Sequence, residues 1–118
     1  MSKVRIISHG TTHDYEAFRR LVKRMCAHVE RNEAGAEAYE CFANETSGQV
    51  FWHEMYESAD AFFAHMQGLD ETGLIVELMQ LYRIDTITSL VRVTDGRIDE
   101  ALQRFGANQL HGAGGIVR

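Results

Sequence analysis

The sequence predicts an α+β fold: one domain spanning residues 1–118, with a largely antiparallel sheet and its helices gathered on one side. Three observations carry this. Segments rich in β-branched and aromatic residues alternate with segments whose apolar residues recur every three or four positions, in the order βαββ(α)αβ. The two central strands flank Asn44-Glu45-Thr46-Ser47-Gly48, a run of turn formers that makes them a hairpin. A chain of 118 residues is also the size of one domain, long enough to bury a real core.

Lys3 to Ser8 reads as a short first strand carried by Val4, Ile6 and Ile7, and Gly10-Thr11-Thr12 should break it. Thr11-x-x-Asp14 resembles a capping box opening a helix from about His13 to Arg31. That helix carries Tyr15, Phe18, Leu21, Val22, Met25, Cys26 and Val29 on one stripe, with Arg19, Lys23, Arg24 and Glu30 opposite. Asn32 to Gly35 is a turn into the hairpin, whose strands run Ala38 to Ala43 and Val50 to Tyr56. Ser58 caps the next helix, on which Phe62, Phe63, Met66 and Leu69 recur at helical spacing. Asp70 is expected to cap a further helix to about Leu81, and Ile84 to Val93 reads as a long strand. Thr94-Asp95-Gly96 ends that strand, and a short helix to about Phe105 closes at Gly106. The tail, Asn108 to Arg118, is rich in glycine. A phosphate-cradling loop must open a helix N-terminus, and this chain ends too soon after the glycines for that.

Composition narrows the function classes. With 45% hydrophobic and 25% charged residues the chain is ordinary for a globular protein. A net charge of −5 argues against nucleic acid, which wants a basic patch. No apolar run approaches the roughly 20 residues needed to span a bilayer, and no long apolar signal segment opens the chain, so a cytoplasmic location is expected. Cys26 and Cys41 lack the paired spacing of a zinc site and read as reduced, buried thiols. The six histidines are scattered, so no metal is expected. No flavin or nicotinamide motif is present, and no cofactor is expected.

The strands also bear on assembly. An antiparallel sheet with one wet face should alternate cleanly between apolar and polar residues. These strands do not: Phe51 and Met55 lie on one side, Val50, Trp52 and Tyr56 on the other. Both faces want cover and the helices cover one, so a homodimer through the face carrying Phe51 and Met55 is predicted.

One constellation invites chemistry. Alternation puts Trp52, Glu54 and Tyr56 on one strand face, while His65 lies among apolar helix positions between Phe62 and Leu69. His65 is the candidate general base and Tyr56 the candidate donor to a developing oxyanion. Trp52 and Phe62 would wall a substrate site, and Glu54 would orient His65 or pair with a cation such as Arg83. The plainer readings are a satisfied core histidine, a core tryptophan and a structural ion pair. His53 faces the other side and belongs to the interface or its rim.

A hairpin ending in Glu54-x-Tyr56, followed by Ser58, Ala61, Phe62 and His65 on the next helix, resembles the antibiotic biosynthesis monooxygenase family. The resemblance implies a ferredoxin-like domain that pairs into a dimeric α/β barrel. It further implies oxygenation of a small aromatic quinol or polyphenol without a cofactor. The alternatives on the same fold are a non-enzymatic small-ligand-binding module and an isomerase or other proton-transfer enzyme. Haem-degrading relatives carry an Asn on the first strand and a Trp near the end of the third; this sequence has no such Asn, and Tyr56 stands for the Trp.

Overall fold

The computed structural model describes residues 3–118. Its elements run β1 (Val4–Thr11), α1 (Tyr15–Asn32), β2 (Ala36–Ala43), β3 (Gln49–Tyr56), α2 (Ala59–Thr72), α3 (Leu74–Leu81), β4 (Arg83–Val91), α4 (Gly96–Gln103) and β5 (Asn108–His111). The strands form one sheet in the order β2-β3-β1-β4-β5. The first four pair antiparallel, the ferredoxin-like arrangement, while β5 lies parallel to β4. Parallel neighbours need a crossover, and α4 supplies it. The glycine-rich tail, for which no strand was expected, therefore contributes a fifth strand at its start, and the sheet is mixed.

The expected boundaries shift for local reasons. β1 does not break at Gly10: it continues to Thr11, with a bulge between His9 and Gly10 in its pairing to β4. Gly10 is required there, because a Cβ would run into the Arg83 carbonyl and the Tyr82 ring. The cap of α1 is Asp14, whose carboxylate accepts from Ala17 N at 3.1 Å, while Thr12 Oγ1 accepts from Asp14 N. Thr11 belongs to the strand. Asp70 caps nothing; it lies within α2, and the break falls at Gly73, whose φ of 75° is open to glycine at no steric cost. Ser58 does cap α2, accepting from Ala61 N. In the hairpin turn Asn44 Oδ1 accepts from Thr46 N and Ser47 N, both at 2.9 Å.

All four helices pack on the sheet face that carries Val4, Ile6, Val50, Trp52, Tyr56, Ile87 and Val91, each buried. The stripe of α1 delivers Phe18, Leu21, Met25 and Val29 to this core. One part of the core gathers α1, α3 and the start of β3 around Trp52; the other gathers α2 and α4 around Tyr56 and Ile6. α2 lies between them and carries the ionisable ring.

Candidate functional site

His65 is the buried polar residue of α2, 1% exposed beside Phe62 and Leu69. An imidazole so placed must find partners for its nitrogens, and it finds two carboxyls. Nδ1 lies 2.8 Å from Glu33 Oε1, and Nε2 lies 3.6 Å from Glu54 Oε1. Glu33 caps the C-terminus of α1, and Glu54 comes from the middle of β3. The rings of Tyr39 and Tyr56 flank the imidazole at 5.0 and 5.2 Å between centroids. The Tyr56 hydroxyl donates to Glu54 Oε1 at 2.6 Å.

Burial sets the electrostatics. It pushes the Glu54 carboxyl above the usual carboxylate range; the Glu33 carboxylate adds to this, while His65 and the Tyr56 hydrogen bond pull against it. Tyr56 is held well above the ordinary phenol value by burial first and by Glu54 second, so it stays a donor. Tyr39 is raised for the same two reasons. Glu54 is thus biased toward the undissociated acid.

These groups meet at a cavity of about 60 Å³ between the sheet, α2 and α3. Trp52, Glu54, Phe62 and His65 line it, as do Tyr39 and the side chains of Met66 and Met79. Tyr56 does not line it, because its hydroxyl is turned to Glu54 behind the wall. Trp52 Nε1 is buried at this site with no hydrogen-bond partner, an unusual state for an indole N–H. Ser8 and Tyr82, which also line it, share a hydrogen bond of 3.0 Å. An outer cavity of about 510 Å³ shares Met79, Tyr82, Ile84 and Phe105 with the inner one.

Arg83 does not pair with Glu54: it is exposed and bonds to Asp85 at 3.2 Å. His53 lies on the far sheet face, half-buried and 3.5 Å from Glu40. Cys26 and Cys41 are free, and burial pushes the Cys41 thiol to about 12. Among the described residues no three His, Cys, Asp or Glu side chains gather to hold a metal. No helix among them is long and apolar enough to cross a membrane.

Two members of the site escaped the sequence reading, Glu33 and Tyr39. Glu33 left one signal. An acid at a helix C-terminus sits against the helix dipole, so local stability gives no reason for it.

The model of the antibiotic biosynthesis monooxygenase family matches residues 12–70, half of the chain, including the hairpin and most of α2. No curated protein matches. Several solved structures share the fold. MupZ from Pseudomonas fluorescens superposes with a TM-score of 0.85 at 16% identity, covering 98% of this chain and 94% of its own. SnoaB, a cofactor-independent oxygenase from Streptomyces nogalater, gives 0.63 at 13% identity, over 80% and 95% of the two chains. Rv0793 from Mycobacterium tuberculosis gives 0.60 at 19%, over 79% and 97%. At these identities the likeness is one of fold.

Proposed function

The chain belongs to the antibiotic biosynthesis monooxygenase family, and from that premise we propose that it is a cofactor-independent monooxygenase acting on a small aromatic quinol, polyphenol or anthrone. One observation carries the reading: a buried imidazole, tied at Nδ1 to a carboxylate, reaches an aromatic-walled cavity. A base in an apolar site needs no more than this to ionise an acidic aromatic substrate.

The steps balance without a further reductant. With an anthrone, His65 Nε2 takes a proton from the ring methylene, and the carbanion passes electrons to O₂. The peroxide that forms on that carbon breaks its O–O bond. One oxygen stays as a carbonyl; the other leaves as water with the two hydrogens the carbon has lost. Trp52, whose N–H has no partner, is the donor best placed for the developing oxyanion. That role was expected of Tyr56, which in this proposal acts instead through Glu54. Phe62 and the Trp52 ring form the aromatic walls.

Size adds a condition. A cavity of about 60 Å³ is well under the ~150 Å³ known to admit benzene. Met66 and Met79 are unbranched and repack readily, and Met79 and Phe105 separate the inner from the outer cavity. Displacing them joins the two spaces and makes room for a ring system.

A second reading has its own observation. The undissociated bias of Glu54, 3.6 Å from a basic nitrogen, suits proton transfer between two substrate atoms without O₂. Oxygen uptake with anthrone, dependent on His65, is the result expected for the monooxygenase. Anaerobic deuterium incorporation without oxygen uptake would replace it with the proton-transfer enzyme, and tight binding with neither would leave a ligand-binding module. The proposal includes a homodimer through the sheet face of Phe51 and Met55, which should bury at least roughly 1,200 Å² in total.

A further inference from the structure

We propose that Glu33 is the positioning residue of this base: it holds His65 as the Nδ1–H tautomer, with His28 beside its second oxygen. The inference rests on the reading of His65 as the base. A neutral imidazole carries one N–H, and if that proton sits on Nε2 the nitrogen cannot accept one from a substrate. Glu33 Oε1 lies 2.8 Å from Nδ1, and its side chain is only 7% exposed. Glu54, Tyr39 and Tyr56 are the other titratable groups against the ring, and none approaches Nδ1 as a hydrogen-bond acceptor.

The second oxygen, Oε2, is buried and accepts no hydrogen bond, yet His28 Nε2 stands 3.7 Å away. His28 is itself steadied by Asn32, whose Nδ2 lies 3.2 Å from its Nδ1. Room for His28 comes from Gly68, three residues beyond His65 on the same side of α2. A Cβ at Gly68 would lie 3.0 Å from His28 Nε2 and 3.9 Å from Glu33 Oε2. Glycine in a helix interior is a poor helix former, and its presence here is explained by the approach of His28 to Glu33. The three groups come from two helices and form one line, His28–Glu33–His65.

The test reads the tautomer directly, by ¹⁵N NMR of the histidine rings in the ligand-free full chain. Wild type should show His65 protonated at Nδ1. Glu33→Gln, whose amide oxygen still accepts, should keep that tautomer, whereas Glu33→Ala should shift His65 toward the Nε2–H form. Anthrone turnover in Glu33→Ala should fall about 10²-fold or more in kcat with KM little changed, and Glu33→Asp should recover part of it. An Nε2–H signal at His65 in wild type overturns the proposal even if Glu33→Ala fails to fold. A wild-type Nδ1–H signal without oxygen uptake would sink the monooxygenase and leave the positioning role standing.

Discussion

The two faces of the sheet depart from the expected pattern in opposite directions. On the helix-covered face, where a core should be apolar, the side chains of Glu54 and His65 meet beside an indole N–H with no partner. On the open face, where residues should be polar, Phe42 and Leu110 are 55% and 54% exposed, with Ile7, Phe51, Met55 and Leu90 beside them half-buried. Polar groups in a core cost stability unless they are paired, so their presence there points to chemistry. Apolar groups in water gain by being covered, so their presence there points to a partner. The proposed reaction and the proposed assembly surface thus lie on opposite sides of one sheet.

The sharpest way to break this contrast is at His65. His65→Ala should lower turnover of an anthrone-type substrate by about 10²–10⁴-fold while leaving the oligomer unchanged. A loss of the dimer in the same variant, seen by light scattering, would mean that the two faces are not independent. Next in size are the apolar residues that carry the covered face. Phe18 meets Trp52 and Tyr82 at centroid distances of 6.4 and 5.9 Å, so Phe18→Ala should cost ~2–5 kcal/mol in urea melts, and Leu21→Ala a similar amount. Less than about 1 kcal/mol for both would show that α1 is not seated as described.

On the open face the order reverses: assembly should change and stability little. A glutamate at Met55 or Phe51 should give a monomer by light scattering, with the far-UV spectrum of the wild type. A wild-type mass across micromolar concentrations for both variants would remove that face as the interface. The smallest effect concerns the buried acid. Because the folded pKa of Glu54 is raised, its contribution to stability is present at low pH and lost as pH rises through that pKa. Glu54→Gln removes this term, so its melting temperature relative to wild type should rise as pH increases above about 4, the ordinary glutamate value. A constant difference across that range would mean that Glu54 is not held in the acid form.

Local signals made most of this legible. The spacing of Phe18, Leu21, Met25 and Val29 marks a buried stripe, the run Asn44–Gly48 marks a turn, and Ser58 marks a helix start. Alternation sorts Trp52, Glu54 and Tyr56 from Phe51, His53 and Met55, and that division holds. Alternation does not say how far a side chain reaches. Tyr56 and Glu54 share a face, but the tyrosine hydroxyl ends on the carboxyl and never reaches the cavity. Glu33 was beyond reach for another reason. It meets His65 across 32 residues of sequence, where the end of α1 approaches α2, which no local pattern encodes. β5 was missed because its four residues gain their strand character from β4 rather than from their own composition.

Gly73 gives the molecule a mechanical division. It is the single residue between α2, which bears His65, and α3, which bears the cavity wall of Leu78 and Met79. No atom crowds the space where its side chain would stand. α2 is tied down at His65 by Glu33 from the end of α1, whereas α3 shows one bidentate tie, Glu77 to Arg24, at the solvent-exposed surface. A rotation at this one backbone joint would swing the α3 wall outward for a bulky guest while leaving the proposed proton acceptor in place.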